Sequence, residues 1–283
     1  MSSNKKQKAF WTGPAGKVWV EGKNEKDNML KPLGNALLKT IIFKNGMNVL
    51  EIGCGTGYIM NEISNAIGIN GNVTGVDISK TMINEAEKYL RINEVNNAIC
   101  KVLDAENEDL GFSEFDLICS RFGVMFFKDP FKAFDNMHKA LKKDAFIHFI
   151  CWQDHKLNPW NSLPLRIVKK YIDLPVLEEK TPSPFAFSNK DYIKEILVNS
   201  MYENIDILDH EEDIELYKGY NLQEAVNEFL AKTPVFTEQF YQLSDNKKQE
   251  LINDLVSALK DYYNGNALKF SSKTWIVSAQ KVN

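Results

Sequence analysis

Arginine is nearly missing from this chain. Arg91, Arg121 and Arg166 stand beside thirty-one lysines in 283 residues. A two-pronged clamp for a carboxylate needs the planar guanidinium fork, so strongly anionic ligands have only three positions to use, with lysines as less specific partners. Without an arginine cluster there is no phosphate-tracking surface, and nucleic acid is not an expected partner. Cysteine is sparse as well: Cys54, Cys100, Cys119 and Cys151 show no CxxC spacing and lie in or beside apolar runs. They read as reduced thiols of a cytoplasmic protein, with no metal expected. No window approaches the roughly 20 apolar residues of a membrane span, and the lysines of MSSNKKQKAF are not followed by an apolar signal core. Repeats and low-complexity tracts are absent too. The expectation is a soluble, untargeted protein without a membrane span.

What is present is an ordinary globular balance, 44% apolar and 25% charged with a net charge of -4. MNVLEI (47 to 52), NVTGVD (72 to 77), AICKVL (98 to 103), FDLICS (115 to 120) and AFIHFICW (145 to 152) are strand-sized apolar runs with little strict alternation, as in a sheet covered on both faces. Helical spacing fills 57 to 68, 79 to 92 behind a Ser79 cap, and 130 to 142. Alternation of this kind predicts an α/β fold with a doubly wound, Rossmann-like sheet. Residues 153 to 186 hold five of the nine prolines and read as a loop-and-helix insertion. A helix is expected over 189 to 200 after Ser188, a strand over 204 to 209, helices within 221 to 263, and a last, antiparallel strand over 273 to 280 completing seven.

VLEIGCGTGY places Gly53, Gly55 and Gly57 between the first strand and the first helix. Glycines there permit positive φ and close ligand approach, and the helix start offers free N–H groups. A bare GxG is also a common tight turn. Its context raises its weight, because Asp77 ends the second strand and Asp104 the third, at the carboxyl edge where open α/β sheets bind ligands. The first suits ribose hydroxyls and the second an adenine amino group. A dinucleotide fingerprint needs a third glycine at position 58, which is Tyr58, so an NAD-linked oxidoreductase is the weaker alternative and the sulfonium cofactor S-adenosylmethionine fits better.

The ordered series VLEIGCGTGYI, VTGVDIS, LDAENEDL and FDLICSRFGVMFFKDPFKAFDNMHKALK resembles class I S-adenosylmethionine-dependent methyltransferases, in particular the small-molecule group that includes ubiquinone/menaquinone-type enzymes. The opening FWTGPAGKVWV is similar to the start of a bacterial subgroup. The resemblance implies methyl transfer to O, N, S or C of a small-molecule acceptor. It also implies cofactor contacts from Glu51 and Gly53 to Gly57 (Cys54 and Gly55 included), Asp77, Ile78, Met82, Asp104, Ala105 and Ser120. The family's usual Pro-Gly-Gly turn before the fifth strand is replaced by KKDA at 142 to 145. A non-catalytic S-adenosylmethionine-binding protein on the same fold is the other alternative. One domain is expected over 1–283: a cofactor core at 31–152, cover segments at 1–30, 153–186 and 212–268, and 187–211 with 269–283 completing the sheet.

Beyond the cofactor set, Arg121 reads as either an acceptor contact or a structural anchor at the sheet's ligand edge. Asp154 and His155, just past the fifth strand, are base candidates, with an exposed loop as the plainer reading. His148 reads as core and His138 as solvated. Phe122 and Met125 are expected to face the acceptor and Phe126 and Phe127 to pack beneath the next helix. Trp11 and Trp19 suit either a lid over a sulfonium or simple packing of an N-terminal arm, and Trp19 is counted with the cofactor set. Tyr171, Phe185, Phe187, Tyr217 and Tyr220 would line an acceptor pocket or the core.

Overall fold

A computed structural model describes residues 4–174 and 180–282. Three helices open the chain: α1 (Lys5–Thr12), α2 (Pro14–Glu21) and α3 (Lys23–Lys39). The alternating core follows as β1 (Asn48–Ile52), α4 (Tyr58–Ile67), β2 (Asn72–Asp77), α5 (Lys80–Ile92), β3 (Ala98–Val102), β4 (Phe115–Arg121), α6 (Pro130–Ala140) and β5 (Leu141–Trp152). The remainder holds α7 (Pro159–Val168), α8 (Lys190–Asn199), β6 (Glu203–Leu216), α9 (Leu222–Lys232), α10 (Thr237–Gln242), α11 (Asp245–Leu259) and β7 (Leu268–Gln280).

The seven strands form one sheet in the order β3-β2-β1-β4-β5-β7-β6. β1 to β5 pair in parallel, and β7 runs antiparallel to both β5 and β6. The fold is thus the expected Rossmann-like α/β sheet with an antiparallel last strand. The order reverses between β1 and β4, which leaves a crevice at their carboxyl ends. Helices cover the sheet: α4 buries Ile59, Met60, Ile63 and Ile67 completely or nearly so, each worth about 1.5–3 kcal/mol in apolar burial. Ser79 caps α5 by accepting the Met82 N–H at 3.3 Å, and Asp129 caps α6 by accepting that of Lys132 at 3.1 Å.

Three expectations change in the structure, and the KKDA turn takes a defined shape. The cap of α8 is Asn189, whose Oδ1 accepts from Asp191 and Tyr192; Ser188 precedes it. His138 is buried with its ring edge-on to Tyr202 at 5.0 Å, not solvated. β6 continues to Leu216, so 212–216 belongs to the sheet and not to a cover segment. Its outer acids explain why the run did not look like a strand: Asp209, Glu211 and Asp213 pair with Lys273 and Lys269 on the edge. At KKDA, Asp144 takes the left-handed conformation (φ 64°) in place of the family's glycine, next to a register irregularity between β4 and β5.

Candidate cofactor and acceptor site

A cavity of about 980 Å³, its open mouth included, spans the carboxyl ends of β3, β2, β1 and β4. From the β3 end it is walled by Leu103, Asp104 and Ala105, then by Val76, Asp77, Ile78 and Met82, then by Glu51 to Thr56, and finally by Arg121, Phe122, Gly123, Phe126 and Phe127. Asn4, Gln7, Trp11, Trp19 and Leu30 close it from the N-terminal helices.

The glycine loop is shaped by left-handed backbone at Gly53 (φ 65°), Gly55 (φ 53°) and Gly57 (φ 90°). A Cβ at Gly53 would lie 2.9 Å from Gly123 Cα, backbone that cannot yield. Gly57 does not line the cavity; its missing Cβ lets α5 approach, since one there would stand 3.2 Å from Ala86 Cα. The loop is bound to β2 by two N–H groups, Gly53 and Cys54, both donating to Val76 O.

Asp77 is held ready by its neighbours: the Gly55 N–H donates to one carboxylate oxygen at 3.1 Å and the Ser79 N–H to the other at 2.8 Å. Burial still pushes its pKa up to about 6, against the pull of those two donors. Glu51 is buried deeper, with Oε2 lacking any partner, and desolvation raises its pKa well above the usual carboxylate range despite the nearby Arg121 charge. Asp104 accepts the Glu106 N–H and the amides of Asn4 and Asn107.

These features fit S-adenosylmethionine. Glu51 Oε2, Asn4 Oδ1 and Gln7 Oε1 are buried acceptors without partners beside the cavity, and buried polar atoms are seldom left unpaired. An ammonium or an amino group would satisfy them. Asp77 turns carboxylate oxygens to the cavity that could accept from ribose hydroxyls, Ile78 and Met82 give it an apolar face, and Asp104 with Asn4 a polar edge.

Arg121 ends β4 with its side chain only 10% exposed. Its Nη2 donates to Asp27 Oδ1 at 3.1 Å, its guanidinium lies 5.3 Å over the Tyr58 ring, and its Cδ packs where Gly34 of α3 has no side chain. Asp27 also accepts from Thr56 Oγ1 of the glycine loop at 3.4 Å. Phe122 follows with φ 58°, a conformation a bulky residue keeps only where its surroundings hold it. The hold comes from its N–H, given to Ile150 O, and from stacking on Trp152 at 4.5 Å. From Trp152 an aromatic ladder runs outward through Trp160 and Phe185 to His155, with centroids 4.8, 6.1 and 6.0 Å apart.

Of the residues singled out from sequence, Trp19, Glu51, Gly53, Cys54, Gly55, Asp77, Ile78, Met82, Asp104, Ala105 and Arg121 converge on this cavity. Ser120 does not: it is fully buried, and its hydroxyl donates to Ile52 O and accepts the Gly123 N–H, pinning the turn. Asp154 and His155 stand outside it, exposed and paired with each other at 3.1 Å. Phe126 and Phe127 line the cavity, whereas Met125 is core. His148 is buried beside Thr40, its pKa lowered to about 4 by desolvation.

Asn4, Gln7 and Asp27 had no signal in the sequence. Thr56 lay inside the expected Gly53 to Gly57 range and lines the cavity. Among the described residues no helix is long and apolar enough to cross a membrane.

Comparison with known proteins falls on the same segment. A family described as a methyltransferase domain matches residues 49–144. The aklanonic acid methyltransferase of Streptomyces sp. (strain C5) is 34% identical over 98 residues, 35% of this chain and 44% of that one. The demethylmenaquinone methyltransferase of Staphylococcus haemolyticus (strain JCSC1435) is 26% identical over 184 residues, 60% and 74% of the two chains. The chain thus spans less than half of the first relative's length and about three quarters of the second's. Among solved structures, the YcgJ protein of Bacillus subtilis superposes with a TM-score of 0.58 at 17% identity, covering 89% of this chain and 99% of that one. The phosphoethanolamine N-methyltransferase 2 of Haemonchus contortus, in complex with S-adenosyl-L-methionine, gives 0.60 at 18% identity, covering 100% and 61%. Those two likenesses show the fold alone. The matched methyltransferase domain runs from Val49 to Asp144, through the very strands whose ends wall the cavity, and in this segment the chain is similar to class I S-adenosylmethionine-dependent methyltransferases.

Proposed function

We propose that the protein methylates a small, planar, largely apolar molecule bound at the β4 end of the cavity. The observation that carries this reading is the Phe122 wall: an aromatic face on the cavity, held in a strained backbone and backed by the Trp152, Trp160 and Phe185 ladder. Relatives named for aklanonic acid and demethylmenaquinone support an acceptor of metabolite size.

S-adenosylmethionine supplies a methyl group already activated on a sulfonium sulfur, so positioning accounts for much of the catalysis. Asp77 and Asp104 anchor one half of the cavity. Trp11, Trp19 and Phe126 pack edge to face over it, at 6.0 and 5.0 Å from the central Trp11, and exclude water. Among the described residues no histidine lines the cavity. An acceptor atom that is nucleophilic without a histidine base suits the site best. Arg121 gives Nη2 to Asp27 and anchors the wall, while its buried Nη1 has no hydrogen-bond partner. The described residues of 4–30, 153–174 and 180–186, together with the helices after Leu216, form the acceptor cover in this reading; 1–3 and 175–179 of the expected cover lie outside the described residues.

Incubating the protein with methyl-labelled S-adenosylmethionine and a panel of acceptors tests the reading. Label is expected in planar apolar compounds. Transfer confined to small polar or strongly anionic acceptors would overturn the acceptor class, and cofactor binding with no transfer to any extract component would favour a non-catalytic binder.

A further inference from the structure

Three sulfur atoms gather over one glycine. Gly75 of β2 pairs with Glu51 of β1 on one side and Cys100 of β3 on the other. A Cβ there would stand 2.3 Å from Met60 Sδ and 3.0 Å from Cys54 Cβ, so the missing side chain is the space into which these groups reach. Cys100 Sγ lies 3.7 Å from Met60 Sδ, so Cys54 and Cys100 approach the same gap from either side of the glycine. Cys54 is the second residue of the glycine loop and is buried. Cys100 is half-buried on β3, the strand at the sheet's edge. We propose that Cys54 and Cys100 are a peroxide-sensitive modification site, whose reversible disulfide disarranges the cofactor loop.

Cys100 is the sulfur that reacts first. It is the more accessible of the two, and the neighbouring Cys54 thiol lowers its pKa, the condition for a reactive cysteine. The thiolate attacks the O–O bond of hydrogen peroxide, forming an S–O bond and expelling hydroxide, which takes up a proton and leaves as water. The Cys54 sulfur then attacks the sulfenic acid; an S–S bond forms, the S–O bond breaks, and the Cys54 proton leaves with that oxygen as a second water. The two sulfurs give up two electrons and the peroxide takes them. A dithiol reverses the reaction by exchange.

The consequence follows from what Cys54 carries. Its N–H joins Gly53 in bonding Val76 O, its carbonyl accepts the Gly57 N–H, and the next residue, Gly55, holds Asp77. Drawing Cys54 toward β3 disturbs all of these together. Cys119 and Cys151 are wholly buried and serve as internal controls.

The inference rests on assigning this loop to the cofactor, so linkage and binding are measured separately. The full chain is treated with hydrogen peroxide and digested without reductant, and mass spectrometry looks for a Cys54–Cys100 linked peptide. Calorimetry with S-adenosylhomocysteine follows the loop. A linked peptide is expected together with a fall in affinity of about tenfold or more. Dithiothreitol should reverse both, and Cys100→Ser, with ordinary affinity when reduced, should show neither. Absence of the linked peptide, or a linked protein that binds as before, overturns the proposal. Failure of the reduced protein to bind S-adenosylhomocysteine would count against the cofactor assignment, while the linked peptide would still decide the disulfide.

Discussion

Arg121 and Asp27, ninety-four residues apart in sequence, meet at 3.1 Å and tie the end of β4 to α3, with both side chains largely out of water. Removing one member strands the other as a buried charge, which typically costs about 3–5 kcal/mol. Asp27→Ala is therefore expected to lower unfolding stability in urea by about 3 kcal/mol. Asp27→Ala combined with Arg121→Met should recover part of that loss. A single-variant loss no larger than that of an exposed pair, about 0–1 kcal/mol, would show that the contact is not an anchor.

Asp77 gives the cofactor site a pH dependence. Burial raises its carboxyl pKa to about 6 in the ligand-free protein, and in the proposed role of ribose acceptor only the ionised form would take both hydroxyls. Affinity for S-adenosylhomocysteine should be full above pH 6 and fall by up to about tenfold per unit below it, as one proton competes. Asp77→Asn should bind weakly with a flat profile across this range. The sign for folding is opposite. A carboxyl raised from about 4 to about 6 holds its proton more tightly when folded, so this group's contribution to stability declines as pH rises through that window. Titration calorimetry between pH 5 and 8 checks the first statement.

The glycine loop should tolerate no side chain at its first position. Gly53→Ala adds a Cβ 2.9 Å from Gly123 Cα at φ 65°, and strain of this sort costs about 1–3 kcal/mol. Cofactor affinity should fall by at least about tenfold, since the two backbones that meet here form the cavity floor. Gly219→Ala is the control: φ is 88°, with nothing within 4 Å of the added carbon. It should cost stability without changing affinity.

The Asp154 and His155 pair should be dispensable. Both are about half exposed, bonded to each other and outside the cavity. His155→Ala and Asp154→Asn are expected to leave cofactor affinity and methyl transfer within about twofold, as isolated surface changes do. A hundredfold loss of turnover at unchanged affinity, the scale of a lost general base, would return the pair to the chemistry.

The sheet was legible because each of its central strands is an apolar run closed by a ligand-type residue. The same logic found Asp77 and Asp104. It failed where a side chain is defined by a distant partner. Asn4 meets Asp104 one hundred residues away, and Asp27 meets Arg121 almost as far along the chain; Asn4 stands just before α1 and Asp27 on α3, neither within a motif. Ser120 was misjudged in the opposite way. The family resemblance implies a cofactor contact for it, but a hydroxyl can turn, and here the Ile52 carbonyl captures it. β6 shows the limit of reading by hydropathy, because an edge strand can carry acids on its outer face and still pair along its whole length.

The N-terminal helices are latched to the cofactor's own walls: Ser79 Oγ donates to Trp11 O at 2.7 Å, and the Asn4 amide donates to Asp104 and Glu106. Whatever is attached ahead of Asn4 is thus attached to the door of the site. A purification tag placed there would alter how readily ligand enters and spent cofactor leaves, while one placed after β7 would leave that door to swing on its own hinges.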